Sequence, residues 1–400
     1  MHDLSKSQQQ EKIISFFLYS GLVFGLLYVY FAQERLYSSM TNGSIALGPE
    51  KFLRIFSVIC IFITTFLSIF SSRGKYAVSI FFSYSILLLT ITLNYAVSGA
   101  DFSDMAQFMS NRGIGTWICL GVIFVGHHNK RYETFKKFAL FSAIFISGLC
   151  IYNFFDFGVG LWRGQALSKY RVYATNMVWI APYVFLILKN NNEFKWARVF
   201  VLFMGVLMAL ITQTRSFLLI YVLTLLFDFF NTKKKGSYLI PLFTGVLGFV
   251  YLVLNTSIFK QSLDLLINRG TNDTRSEQLH VFLNQLNFID LVTGRGHFAY
   301  YQLGNEVWTA VDNQWLYLLW WGGLIPFLCY FFLAFVAPII LILKGNLDYE
   351  TRVECFVLVL WVLGLTGLAI YSTMSVEFFF FTMSIVLGRV LYKFSLSKTQ

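Results

Sequence analysis

Apolar segments about 20 residues long recur along this chain, and their length restricts the fold more than any other feature. Residues 13–31, 52–71, 76–97 and 353–371 form such runs. As helices rising about 1.5 Å per residue, each crosses a hydrocarbon core of about 30 Å. Further apolar runs lie at 113–126, 138–155, 176–188, 196–211, 216–230, 237–255, 315–343 and 378–392. The expected fold is therefore all-α and polytopic, with about twelve transmembrane helices. Composition agrees, since hydrophobic residues make up 57% of the chain and charged residues only 13%, a balance that a soluble domain cannot cover with polar surface.

A net charge of +11 would suit a nucleic-acid binder, but its distribution excludes that class. Arg73 and Lys75, then Lys130, Arg131, Lys136 and Lys137, then Lys189 and Lys195, then Lys233, Lys234 and Lys235 fall in every second connection. Such connections are expected to be cytoplasmic, which puts both termini inside. Lys6 and Lys12 precede a full-length apolar run with no small-residue cleavage site near its end, so the N-terminus reads as an uncleaved anchor. Cys60, Cys119, Cys150, Cys329 and Cys355 sit in or beside apolar runs, and the histidines are scattered, so neither a disulfide framework nor a metal site is expected. With no internal repeat, low-complexity tract or linker, residues 1–400 read as one integral membrane domain.

Alternation assigns the remaining connections to the outer side. The largest, residues 256–312 between the ninth and tenth runs, retains Arg269, Arg275 and Arg295. Cations in a translocated loop run against the usual bias, which points to an anion held there. The first outer connection pairs Arg35 and Lys51 with Glu34 and Glu50 and reads as self-neutralised. In the second, Asp101 and Asp104 lie one helical turn apart and suit a metal, a base or a solvated turn. The third, residues 156–175, sets Arg163, Lys169 and Arg171 against Asp156 alone, fitting either a diphosphate or phospholipid headgroups beside Trp162. The fourth is only Thr212 to Ser216, so Arg215 is the most membrane-embedded cation, at about 2.5–3.5 kcal/mol on insertion scales unless an anion, water or snorkelling offsets it.

Inside the large loop, Thr274-Arg275-Ser276-Glu277 has the form of a capping box, with Leu279, Phe282, Leu283 and Leu286 following at helical spacing. An amphipathic helix is expected there, lying on the membrane face with its first N–H groups beside Arg275, an arrangement that suits phosphate. The plainer alternative pairs Arg275 with Asp273 or Glu277. Thr293-Gly294-Arg295-Gly296-His297 is a turn whose glycines allow close backbone approach to a ligand. Tyr300, Tyr301, Trp308 and Trp315 suit either stacking on sugar rings or an interfacial belt. Asp312 and Asn313 lead into the run at 315–343, expected as one helix bending at Pro326, and Asp312 either balances an arginine or acts as a base.

These pieces fall in a recognisable order: about twelve spans, a short Thr-Arg-Ser turn at Arg215, a late outer loop, and Asp273-Thr274-Arg275 opening a helix. The Thr-Gly-Arg-Gly turn follows, then Asp312-Asn313-x-x-Leu316 and Trp321-Gly322-Gly323-Leu324. In this the chain resembles the O-antigen polymerase (Wzy) and O-antigen ligase (WaaL) superfamily of polytopic bacterial glycan-joining enzymes. The layout matches throughout, and individual residues match from about Arg215 to Leu324.

The resemblance implies a glycosyltransferase of the bacterial inner membrane, working on the periplasmic face without metal, cofactor or nucleotide sugar. Its donor and acceptor would be glycans on undecaprenyl diphosphate, and its partners membrane lipids, a flippase and a chain-length regulator. Arg215, Arg275 and Arg295 would converge on the diphosphate and stabilise its growing charge. Asp312 or His297 would take the acceptor's proton, or the reaction would use no base. Arg163, Lys169, Arg171, Asn313, Tyr300 and Trp308 would bind substrate. Where the ligase-like pattern has His before Asn, this chain has Asp312, which favours a polymerase over a ligase acting on lipid A core. A flippase for the same lipid-linked unit is the non-enzymatic alternative, against which stands the lack of duplicated halves.

Overall fold

Apolar length becomes helix almost everywhere in the computed structural model, which describes residues 2–42, 50–71, 75–108, 112–157, 166–212, 215–232, 251, 255, 274–309, 311, 313–345, 347–364 and 376–396. Among the described residues six helices are long and apolar enough to cross a membrane: Gln9–Tyr28, Phe52–Ser71, Ile80–Val97, Asn129–Tyr152, Asn192–Ile211 and Leu324–Leu343. Phe56, Phe66, Phe70, Phe82 and Leu89 project from them unburied, a display that lipid covers and water would not tolerate. Shorter apolar helices occupy Ile114–Val125, Tyr173–Ile187 and Ser216–Phe230. The run expected at 237–255 lies outside the described residues except for 251 and 255, as does the end of the run at 353–371.

Two compact units emerge where the sequence offers no linker. The first comprises Met1–Val29, Leu47–Phe135 and Thr274–Gln400, and the second Tyr30–Ala46 and Lys136–Asp273. Helices α1 (His2–Asn42), α2 (Glu50–Ser71), α3 (Lys75–Val97), the single turn α4 (Met105–Phe108) and α5 (Ile114–Cys119) come first. Next is α6 (Asn129–Phe157), within which the division between units falls. Helices α7 (Ala166–Ile187), α8 (Lys195–Ile211) and α9 (Arg215–Phe230) belong to the second unit. They pack on one another, with Tyr221 of α9 filling the space beside Gly205 of α8. A buried Asp228 carboxylate meets Lys189 Nζ at 2.6 Å, and the same ammonium donates to Thr232 Oγ1 at 2.6 Å. Polar groups so enclosed need such partners, which fixes α9 against the end of α7.

Within the first unit, α5 continues as a 3-10 helix, Leu120–Val125, to give twelve helical residues. At about 1.5 and 2.0 Å per residue that is roughly 21 Å, too short to cross a membrane core alone. Its side chains are nearly all buried, so protein rather than lipid supplies the apolar surroundings. One of its neighbours is α16 (Val376–Leu396), where a Cβ at Gly388 would fall 1.8 Å from the Ile123 carbonyl oxygen. Only glycine lets these backbones approach so closely.

The run expected as one bent helix at 315–343 is instead broken. Helix α12 (Gln314–Gly322) ends at Gly323, and α13 (Leu324–Phe331) starts afresh. The break therefore falls three residues before Pro326, which sits harmlessly in the first turn of α13, where an N–H would lack a partner anyway. Gly323 has φ +87° and ψ −177°, a conformation essentially reserved for glycine. Lower down, α13 passes through a π-helical turn, Phe332–Val336, into α14 (Ala337–Leu343), where Pro338 cannot donate to the preceding turn. Helix α15 (Tyr349–Gly364) and α16 complete the unit. Trp117 of α5 stands at its centre, with ring centroids 5.4 Å from Tyr330, 6.3 Å from Trp321 and 6.3 Å from Phe380.

Replacing Gly323 by Ala forces a strained φ and drives a Cβ to 2.8 Å from the Val292 carbonyl oxygen. The expected loss is about 1–3 kcal/mol, read as a lower midpoint of thermal unfolding in detergent, whereas Pro326→Ala should leave the midpoint nearly unchanged.

Candidate functional site

Beyond the apolar helices of the first unit, the described part of the large loop folds into helix α10 (Thr274–Asn284), helix α11 (Phe288–Thr293) and a hairpin of β1 (Tyr301–Leu303) and β2 (Glu306–Trp308). The hairpin, with Tyr301 opposite Trp308, is a small β element in a chain expected to be all-α. Gly304 at its turn has φ +61°, which suits the tight reversal. Helix α10 starts at Thr274, where the capping box placed an amphipathic helix. Its Phe282 is fully buried, with ring centroids 5.2 Å from Tyr301 and 5.2 Å from Trp320. At Phe282 the apolar stripe thus faces the hairpin and α12, while Leu283 beside it stays exposed.

Breaking α12 at Gly323 strands carbonyls at its C-terminal end, and the Thr-Gly-Arg-Gly-His turn satisfies them. Arg295 N donates to the Trp320 oxygen at 2.8 Å, and Gly296 N to the Trp321 oxygen at 3.0 Å. The Trp321 oxygen also accepts from Asn94 Nδ2 at 3.0 Å. His297 N donates to Ser98 Oγ at 2.9 Å, and that hydroxyl in turn donates to the Asn94 carbonyl at 2.6 Å. Gly296 has φ +87°, and a Cβ there would lie 2.1 Å from Ser98 Oγ. Gly296 is crowded by the Ser98 side chain and Gly294 by the backbone of Trp321 to Gly323, so the face of the turn that docks on the protein is closed to a ligand.

Arg112, between the second outer connection and α5, is the residue around which the loop is built. Its side chain is buried, with Nε donating to Tyr317 Oη at 2.7 Å and Nη1 to the carbonyls of His297 at 2.8 Å and Ala299 at 2.7 Å. Nη2 donates to the Thr309 carbonyl. The guanidinium carbon lies 5.0 Å from the Tyr317 ring centre and 5.2 Å from that of Trp320. The planar fork and weak hydration of arginine suit it to hold several carbonyls while stacked on rings. Arg112 was not among the residues expected at the site, and its one visible signal in the sequence is a charge just before an apolar run.

His297 is held by this clamp. It is nearly buried, its ring centroid 4.9 Å from Tyr95 and 4.9 Å from Phe298. Among the described residues its Nδ1 has no hydrogen-bond partner. Burial pushes its pKa below the ordinary value, a hydrogen bond to the Arg112 backbone raises it, the Arg112 charge lowers it, and the Asp104 carboxylate raises it. The balance favours the neutral ring, which can accept a proton. Asp101 serves its own turn, accepting from Ser103 N and Oγ at 2.8 Å each, and these bonds hold its pKa below the usual carboxylate value. Asp104 accepts from Gln107 N at 3.3 Å, as a cap on α4.

Arg295 is latched. Its Nε meets Asp290 Oδ2 at 2.8 Å and Nη2 donates to the Gln285 carbonyl at 2.7 Å. It nonetheless lines a cleft of about 400 Å³ with Gln285, Phe298, Ala299, Tyr300, Tyr301 and Gln302. Phe298 and Tyr300 are exposed there, so two aromatic rings, two amides and a guanidinium border one opening. Trp308 also stays partly exposed, its Nε1 bonded to Glu306 at 3.1 Å. Asn313 caps α12, its Oδ1 accepting from Trp315 N and Leu316 N at 3.1 Å each.

The other expected site residues are placed only in part. Arg163 and Asp312 lie outside the described residues, as do Arg269 and Asp273. Lys169 and Arg171 fall on the helical backbone of α7, Arg215 opens α9 and Arg275 follows Thr274 at the start of α10, with their side chains outside the description. Of the three arginines expected to converge on a diphosphate, only the side chain of Arg295 is described. Comparison with protein-family models, curated proteins and solved structures finds no match.

Replacing Arg112 by Met keeps the bulk but leaves the carbonyls of His297, Ala299 and Thr309 without their donor. At about 1.5–3 kcal/mol for each charged hydrogen bond lost, the loop should detach before the helices melt. Limited proteolysis should then cut between residues 285 and 310 in Arg112→Met and spare the unmodified protein.

Proposed function

We propose that this protein is a surface-polysaccharide polymerase of the bacterial inner membrane. In this reading it transfers a glycan from undecaprenyl diphosphate to a sugar hydroxyl of another lipid-linked repeat unit, on the periplasmic face, using about twelve spans with both termini inside. One observation carries the proposal. The clamped segment from Arg295 to Gln302 brings a histidine biased towards neutrality, whose Nδ1 has no hydrogen-bond partner among the described residues, next in sequence to a cleft bordered by exposed rings, amides and a guanidinium. Such a mixed aromatic and amide lining suits sugar rings, which present apolar faces and hydroxyl edges.

In the proposed reaction the acceptor oxygen bonds to the anomeric carbon as the bond from that carbon to the diphosphate oxygen breaks. The hydroxyl proton passes to His297, and undecaprenyl diphosphate leaves with both electrons of the broken bond. Asp312 is the other candidate for the base. Arg215 and Arg275 are proposed to face the diphosphate, where cations stabilise the charge that grows on it, and Arg295 to border the glycan. Arg163, Lys169, Arg171, Tyr300 and Trp308 keep their proposed roles in holding substrate, with Asn313 beside the site as a helix cap.

Polymer formation by the purified protein from lipid-linked repeats in detergent tests the class, because a flippase makes no glycosidic bond. Deleting the gene should collapse the polysaccharide ladder to a single repeat on the lipid A core. Loss of every attached repeat would mark a ligase instead, and an unchanged ladder would sink the proposal.

If His297 is the base, polymerisation falls as pH drops through its lowered pKa and the ring protonates. The acid limb should thus lie below the ordinary histidine value of 6.5. Asp104→Asn removes a charge that raises this pKa, so the limb should move further towards acid. His297→Ala should abolish the limb along with most activity. An acid limb that Asp104→Asn leaves in place would shift the role to another group.

A further inference from the structure

At about 100° per residue, α11 places Phe288, Ile289 and Val292 on one face and Asp290 on the other. Asp290 faces the protein, accepting from Arg295 Nε at 2.8 Å. On the opposite side Phe288, Ile289 and Val292 are 77%, 65% and 43% exposed. Single exposed apolar residues are ordinary, but three on one face of a six-residue helix are not.

The place of that face in the fold indicates what covers it. Helix α11 packs on α12 and on the start of α13. Its end abuts Gly323, where a Cβ would meet the Val292 carbonyl oxygen and the Thr293 carbonyl carbon at 2.8 Å each. The next residue, Leu324, begins the membrane-crossing helix Leu324–Leu343, whose first turns leave Leu324, Ile325 and Leu328 unburied. The apolar face of α11 therefore adjoins the end of a lipid-facing band on a span.

We propose that α11 is an interfacial helix, seated with Phe288, Ile289 and Val292 at the boundary between headgroups and acyl chains, and that its partner is the bilayer surface itself. Short amphipathic helices bind there through buried apolar area. Rigid connections transmit the seat to the rest of the loop: Gly294 N donates to the Asp290 carbonyl at 2.8 Å, and Arg295 is fixed to both Asp290 and Trp320. Seating α11 thereby holds the cleft beside Arg295 near headgroup depth. The inference needs only the span and the loop, and it stands apart from the proposed reaction.

The test uses the full chain in phospholipid nanodiscs. Cys329→Ser removes the one cysteine that is not buried, and an environment-sensitive fluorophore is attached at Ile289→Cys or, in a second protein, at Val292→Cys. Asn305→Cys on the exposed hairpin turn is the aqueous reference. Phospholipids spin-labelled near the top of the acyl chain should quench the probe on α11 strongly, and iodide should quench it several-fold less than at Asn305. Iodide quenching equal to that at Asn305, without lipid quenching, would overturn the proposal. Shielding from both quenchers would also overturn it, by showing that protein and not lipid covers this face. Polymer formation is a separate readout, so failure here leaves the proposed reaction to its own assay.

Discussion

A single buried guanidinium organises the loop end of the first unit. Arg112 donates to three carbonyls and a phenol while stacked beside two aromatic rings. Removing a permanent charge from water is costly, and only a dense set of partners offsets that penalty. The dependence runs both ways. Without the loop the arginine would lose the carbonyls of His297, Ala299 and Thr309, and without the arginine those carbonyls would lose their donor. Loop and helix bundle are thus joined by a polar contact that neither gives up cheaply.

A second constraint works with the first. Helices in a low-dielectric medium satisfy their own backbone groups except at their ends, so a helix broken inside the bundle exposes carbonyls that must find donors. Gly323 makes the break, and the backbone amides of Arg295 and Gly296 meet the need, joined by Asn94 from α3. Gly323, Gly294 and Gly296, all with positive φ, allow the two segments to lie backbone to backbone. A turn whose glycines suggested close approach to a ligand approaches protein instead. His297, Phe298 and Tyr300 follow directly from that anchor, so their positions inherit its rigidity.

Much of the candidate site was legible before the fold, though roles shifted. The loop, the turn and His297 stood out because cations, glycines and a histidine are conspicuous among apolar runs. Their partners did not. Asn94 and Ser98 end an ordinary apolar run, and Arg112 precedes another, so nothing local marks them as the far side of a contact spanning some two hundred residues. Asn313 caps α12, a duty that its place just before a helix allows and that the sequence does not separate from a role in a site. The apolar spacing of α10 signalled a helix with one greasy stripe, but periodicity does not say whether that stripe meets lipid or protein, and Phe282 meets protein.

By itself the sequence determined the class of solvent and the helical character of the long apolar runs. Runs of about 20 apolar residues can only be helices in lipid, since backbone polar groups must be satisfied within the segment. Tertiary structure decided which apolar segments face lipid and which are enclosed, as with Ile114–Val125, because burial depends on neighbours supplied from elsewhere in the chain. It also decided where the run at 315–343 breaks. Pro326 is a visible signal but tolerable in a first turn, whereas the break falls at Gly323, where φ is +87° and a Cβ would meet the backbone of Val292 and Thr293 from a distant segment.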